Sequence, residues 1–447
     1  PGSRARGAMK DALADPTLKG VVVDLGTDVF ARMYASRLKL WRNEVIPAYQ
    51  AVVDKWREVD LVTASDENLL EGIVALARAD GETWFSPKLG GTVMLMNAMR
   101  GAEGTFQYFL DEAAPGKGFT SGQFLSGLRS ISMEAQDEIG DIAEMIKADD
   151  ALVALVASTP PHRLLPVLRE QDTAALIVQT IDQHLDRYGH QINTLDFVEP
   201  TLVEDPTPLM LNLKAVVLDP DHDPAAKQME LARRKQTALR EAKETFSDAN
   251  WKELCDFLWL MKRIYPDRDE ALFYLALGWP ILRRFALELG RRLVEACTLR
   301  APEDVFYFRY AQLEDAITAH QDGKGMPGLQ KSVAEQRELR AARMRLAPPD
   351  TVPPEEGQGP GWGKVANDPD SNDLNGNACS PGQVTARASL IMSPADFGRM
   401  EPGTILVCPI TTPAWTQLFS QAKGLVTDIG GILTHGSIVA REYNIPA

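Results

Sequence analysis

The residues best placed to do chemistry are Thr434-His435-Gly436-Ser437, which stand between an apolar run ending near Val426 and a helical pattern with Ile438 and Val439 on its inner face. The pattern reads as a buried strand, a glycine-rich turn and an amphipathic helix that starts at His435. A helix start presents free backbone N–H groups and the positive end of the dipole, so it stabilises a phosphate carried by a side chain there. Thr434 is the expected N-cap, and Gly430-Gly431 lets the backbone turn sharply beside the imidazole. A lone histidine near a helix start is also a common structural feature, and local chemistry leaves both readings open.

The stretch Gly430-Gly431-Ile432-Leu433-Thr434-His435-Gly436-Ser437-Ile438-Val439-Ala440-Arg441-Glu442-Tyr443-Asn444-Ile445-Pro446-Ala447 resembles the phosphohistidine motif of the swivelling domain in the phosphoenolpyruvate-synthase superfamily. Upstream, Pro409 to Phe419 is similar to the segment that leads into that turn, and Cys379 to Val384 to the domain's first strand. The resemblance implies that His435 attacks a phosphoryl donor and carries the group as a phosphohistidine, supported by Thr434, Gly436 and Ser437.

Two more segments look like parts of the rifampin phosphotransferases. Arg187-Tyr188-Gly189-His190, continuing through Asp196 to Glu204-Asp205-Pro206, is similar to a central-domain segment of those enzymes, with Asp196 near where they place Glu. His190 could then act as general base on an acceptor hydroxyl, since imidazole titrates near neutrality. Arg263-Ile264-Tyr265-Pro266-Asp267 is similar to their Arg-Glu-Tyr-Pro-Lys element, departing from it at Ile264 and Asp267. Arg263 could grip a phosphoryl group bidentately, with Tyr265 beside the acceptor. The departures argue against rifampin itself as acceptor.

Arg129 and Glu134 lie in a polar island and are candidate acceptor contacts; the plainer reading of both polar islands is a salt-bridge and capping network. Met94, Met96 and Met99, with Phe106, Tyr108 and Phe109, form a soft, aromatic stripe. Such a stripe is packed core or the wall of a pocket for a flat apolar molecule, with Met96 facing it. His162, His184, His222 and His320 have no comparable setting. Arg284 and Glu288 are four apart on one helix and are expected to pair on its surface.

From about Met9 to Ala342, apolar residues recur at three- and four-residue spacing, which predicts an all-α domain over residues 1–345; Gly20-Val21-Val22-Val23-Asp24 is a β-like exception. Ser65 or Asp66 should cap one helix, and Pro302-Glu303-Asp304 should open a turn. Residues 346–372 shift to Pro, Gly, Asp and Asn and read as a flexible linker. Val384–Ile391, Thr404–Cys408 and Leu425-Val426 read as strands, and Pro394–Phe397 as a short helix or turn. With the His435 helix they make a small α/β swivelling domain over residues 373–447, its C-terminal end missing because the motif runs to the last residue.

At 447 residues, 45% of them hydrophobic, the chain can bury two or three cores, and it has no apolar run near the roughly 20 residues that span a membrane. Four widely spaced cysteines suggest neither disulfides nor zinc and fit a reducing cytoplasm. A net charge of −15 opposes a nucleic-acid partner.

The superfamily places the swivelling domain after a helical acceptor domain in rifampin-phosphotransferase-like enzymes, and this chain has that order. Neither a glycine-rich phosphate loop nor another sign of an ATP-grasp domain is visible before residue 370. The resemblance therefore implies a phosphotransferase component, as in phenylphosphate synthase. A separate ATP-grasp domain or subunit would phosphorylate His435 from ATP with Mg²⁺ or Mn²⁺, and the acceptor would be a small phenol or aromatic alcohol. The alternatives are an antibiotic phosphotransferase lacking its ATP-grasp part and a non-catalytic phosphohistidine regulatory protein.

Overall fold

The computed structural model describes residues 38–85, 105–125, 131–192, 195–219, 224–346, 373–376, 378–411, 415–428, 434–443 and 445–447. Up to residue 346 the described chain is helical: α1 Ile46–Arg57, α2 Asp66–Phe85, α3 Ser121–Leu125, α4 Ile131–Lys147, α5 Asp150–Ser158, α6 Pro161–Arg169, α7 Ala175–Tyr188, α8 Thr207–Leu218, α9 Pro224–Thr245, α10 Asp248–Phe273, α11 Trp279–Glu295, α12 Tyr310–Gln321 and α13 Leu329–Arg343. Apolar periodicity explains why. In α1 the residues Ile46, Tyr49, Val53 and Trp56 fall on one stripe and are buried. Ser65, not Asp66, caps α2, its Oγ accepting the Asn68 N–H at 3.2 Å. Pro302 opens a 3₁₀ turn, Pro302–Tyr307.

Three apolar clusters hold these helices among the described residues. One joins α4 to α8 around Ile142, Leu168, Ile181 and Leu213. A second packs α1, α2, α11 and α12 around Trp56, Leu76 and Phe285. The third gathers Phe106, Phe109, Phe124, Phe246 and Phe257, so Phe106 and Phe109 of the predicted stripe are core, while Tyr108 between them is exposed. The stripe's methionine half and the Gly20–Asp24 run lie outside the described residues.

A small α/β domain follows. Strands β1 Ala388–Leu390, β2 Thr404–Cys408 and β3 Ala422–Thr427 form a parallel sheet in the order β1-β2-β3, with Leu390 opposite Val407 and Val407 opposite Val426. The predicted first strand pairs only over its last residues, because Val384 to Arg387 are exposed or half-buried. A 3₁₀ turn Pro394–Arg399 and a short helix α14 Thr416–Phe419 make the crossovers, as parallel strands require, and α15 His435–Glu442 comes after β3. Ile391, Leu406, Leu418, Phe419 and Val439 fill the core. The fold class read from the sequence, a large helical part followed by a small α/β domain, is the observed one.

The small domain rests on the helices at a defined place. Leu211 of α8 packs against its core, and α14 lies along α8. Next to Leu211, Asn212 is fully buried. Its Nδ2 donates to Gln136 Oε1 of α4 at 3.0 Å, and its Oδ1 accepts the Ser420 hydroxyl at 3.0 Å. A buried amide left without a partner costs about 1–3 kcal/mol, so this pair of bonds is a sizeable part of a small contact. Ser420→Ala removes the hydroxyl that bonds Asn212 across the two domains. Its expected effect is a larger radius of gyration in small-angle scattering at an unchanged helical circular-dichroism signal; an unchanged radius would show that this bond does not hold the domain in place.

Candidate active site

His435 is the first residue of α15, and Thr434 precedes it with extended backbone at φ −71° and ψ 156°, the N-cap conformation. The Thr434 hydroxyl does not cap the helix backbone; its Oγ1 lies 3.0 Å from Ser437 Oγ. Ser437 is buried. Gly436 meets the Thr411 side chain so closely that a Cβ would overlap Thr411 Oγ1. Thr411 comes just after β2, so glycine is what allows the helix start to sit against the carboxyl ends of the parallel strands, where α/β sheets place their ligands. Cys408, at the end of β2, has its thiol pushed up to about 12 by burial and then by the charge of Asp428, so it stays protonated and unreactive. The side chain of His435 and the residues 429–433, Gly430-Gly431 included, lie outside the described residues.

The far end of the same helix reaches the helical part. Arg441 is buried, donates to the Cys379 carbonyl at 3.2 Å, and lies over Gly122 of α3, where a Cβ would collide with its stem. Helix α3 packs on α9 and α10. Helix α10 carries Arg263 and Tyr265, whose side chains are outside the described residues, and an internal proline, Pro266. Two carboxylates in its second half anchor it. Asp269 accepts the backbone N–H and the hydroxyl of Ser132, at 2.7 and 2.8 Å, and so caps the start of α4. Asp267 is buried and binds Arg42 at 2.6 Å, with Glu270 on the same guanidinium at 2.5 Å.

Arg42 was not legible as a site residue. It stands on a π-helical turn, Trp41–Val45, more than two hundred residues before Asp267. π-turns often mark functional positions. Its charge meets Asp267, which stands where the similar rifampin-phosphotransferase element has lysine, so a cation is present there from another element. The only signal in sequence was the unexplained acid at position 267.

Of the remaining candidates the structure describes His190 and Glu134. His190 is buried; its Nε2 donates to the Phe273 carbonyl at 2.5 Å, and its ring meets Phe273 edge to face. A base role would therefore fall to Nδ1. Burial lowers its pKa to about 4, so the ring is neutral at pH 7. Glu134 accepts Arg187 at 3.1 Å on a part-exposed face. Arg129 and Met96 lie outside the described residues.

The polar islands do form a salt-bridge network. Arg187 also binds Glu138, Glu204 binds the buried Arg283 at 2.7 Å, and Asp196 binds Arg340 at 2.6 Å. The predicted Arg284–Glu288 pair is not formed. Glu288 turns instead to Arg291 and Arg292, each at 2.8 Å, while Arg284 donates to the carbonyls of Arg57 and Val59, because a backbone end of α1 lies within its reach.

His190 makes a testable contribution to stability. Its folded pKa, about 4, lies below the ordinary 6.5, so the unfolded chain binds its proton first as pH falls. Stability from this group is present above pH 6.5 and is lost between there and about 4. In thermal unfolding, His190→Gln should show a smaller drop in Tm between pH 7 and pH 5 than the parent does; parallel curves would show that His190 does not titrate with folding.

The mobile domain of the PEP-utilising enzymes matches residues 400–447, and the rifampicin phosphotransferase fourth domain matches residues 90–265. The uncharacterized phosphotransferase YvkC of Bacillus subtilis is 25% identical over 329 residues, 73% of this chain and 40% of that protein. The rifampicin phosphotransferase of Bacillus subtilis is 23% identical over 412 residues, 91% of this chain and 46% of that protein. The prodigiosin synthesizing transferase PigC of Serratia marcescens is 51% identical over 75 residues, 17% of this chain and 8% of that protein. The chain thus spans less than half the length of the curated phosphotransferases it matches.

Proposed function

We propose that the chain is the acceptor and carrier portion of a PEP-utilising phosphotransferase of the rifampicin-phosphotransferase type, a reading supported by the domain matches over residues 90–265 and 400–447. His435 takes a phosphoryl group from ATP on an ATP-grasp domain or subunit, where Mg²⁺ or Mn²⁺ neutralises phosphate charge. The carrier then delivers the group to a hydroxyl on a small aromatic acceptor held by the helices. The N–P bond breaks as the O–P bond forms, and the hydroxyl proton ends on the imidazole nitrogen that the phosphoryl group leaves. Splitting the transfer over a covalent intermediate spares one site from binding nucleotide and acceptor together.

The observation that carries this reading is the position of α15. Its first residue is His435, at the carboxyl ends of the sheet, and its far end sits on α3, the helix that packs against Arg263's helix. Ile264 and Asp267, where the rifampin element has Glu and Lys, favour a different acceptor from rifampin.

Potassium phosphoramidate, which phosphorylates imidazole directly, tests the reading without the ATP-grasp part. The full chain should acquire acid-labile phosphate on the His435 peptide and pass it to phenols. His435→Gln should do neither, and phenol phosphorylation by that variant within about tenfold of the parent would rule out the phosphohistidine. Arg263→Ala should slow delivery by roughly 10²-fold, the scale of a lost charge-stabilising donor, with little change in acceptor affinity. Weaker acceptor binding at unchanged delivery would place Arg263 elsewhere.

A further inference from the structure

Helices α9 and α10 leave an open groove of about 550 Å³ between them, within the size range of small-ligand sites. Its α10 wall is a single stripe, Trp251, Cys255, Leu258 and Lys262, with Trp259 beside it and Leu239 of α9 opposite. The floor is almost wholly apolar, and Trp259 is 58% exposed. An indole left so open beside a second indole is a flat surface suited to another flat ring.

The groove is also ringed by cations, in a chain whose net charge is −15. Lys243 of α9 holds its ammonium 5.7 Å from the Trp251 ring. Lys235, two turns before it on the same face of α9, is close enough to Lys262 for the two charges to repel; burial first, and that repulsion second, lower the Lys235 pKa. On the exposed side of α10, Asp256 is paired with Lys252 at 2.8 Å. Apolar walls with like charges at the rim complement a ligand that is flat, apolar and anionic at one end.

The site lies next to the proposed chemistry. Lys262 is the chain neighbour of Arg263, and Trp259 precedes Arg263 by one helical turn. We propose that this groove seats the body of the acceptor, and that the acceptor is an aromatic anion, its ring against Trp251 and Trp259 and its acid group at Lys262. The phosphoryl-transfer reading enters only in naming the occupant as the acceptor; binding stands apart from it.

Isothermal titration calorimetry of the full chain at pH 7, without nucleotide, separates the two. The probes are 6-hydroxy-2-naphthoate and the neutral 2-naphthol, which share a ring system. The naphthoate should bind roughly tenfold tighter or more, the scale of one charge-assisted hydrogen bond. Lys262→Gln should bring the two ligands together, and Trp259→Ala, at an exposed position where folding is not at stake, should weaken both alike. Equal affinities in the parent, or an unchanged ratio in Lys262→Gln, would overturn the site. Chain loaded with phosphate at His435 gives the second readout: 6-hydroxy-2-naphthoate should speed the loss of phosphate and emerge as the aryl phosphate. If simple phenols are phosphorylated while bound naphthoate is not, the groove is not the acceptor's seat. If no hydroxyl is phosphorylated, the transfer reading fails while the calorimetric result still stands.

Discussion

A carrier domain must be held well enough to align its cargo and loosely enough to leave, and on the proposed reading that balance is set by two contacts, one around Asn212 and one where Arg441 lies over Gly122. One fully buried amide bridges Gln136 within the helical part and Ser420 on the small domain, beside a single aliphatic side chain, Leu211. A net hydrogen bond contributes about 0.5–1.5 kcal/mol and the partly buried Leu211 less than the roughly 1.5–3 of a fully buried leucine, so this contact alone is modest. A large apolar interface would behave otherwise. It would fix the domain as firmly as the cores that hold the helices together.

On the proposed reading helix α10 has the opposite requirement, since it carries Arg263 and one wall of the groove and should stay in place when the carrier moves. Its anchors fit that need. Asp269 caps α4 through two bonds to Ser132, Asp267 and Glu270 clamp Arg42, and Phe257 stacks on Phe106 with ring centroids 5.3 Å apart. These contacts tie α10 to the π-turn, to α4 and to the aromatic core. Because Asp267 is buried, losing its bond to Arg42 should cost more than losing a surface bridge.

What the sequence disclosed divides along the range of the interactions involved. The small domain was readable because its signals are local: strand alternation, the N-cap at Thr434 and the glycine at 436, each within a few residues of His435. Core and network in the helical part were readable as types but not as partners. Arg284 and Glu288 have ideal spacing for a pair, yet a carbonyl of α1 and two later arginines win, because tertiary proximity supplies better geometry than one helical turn. His190 looked like a member of a polar island, and it is burial in the folded chain, with Phe273 from eighty-three residues away against its ring, that keeps it neutral. The groove between α9 and α10 was hidden for the same reason. The stripe Trp251, Cys255, Leu258, Lys262 is visible in the sequence, but nothing there says that Leu239 and Lys243 face it.

The openness of that groove bears on how a transfer to a hydroxyl could outrun transfer to water. A phosphohistidine exposed to solvent hydrolyses, so an acceptor site with one open side needs a cover at the moment of reaction. On the proposed reading the carrier is the cover as well as the reagent. Its helix α15 seats Arg441 on α3, which packs on both walls of the groove, α9 and α10. Docking that brings His435 toward the hydroxyl then also removes solvent from beside it, and the phosphoryl group is shielded only when an acceptor site is in front of it. The weak clasp at Asn212 follows from the same logic: the cover must lift after each transfer for the product to leave and for His435 to be charged again.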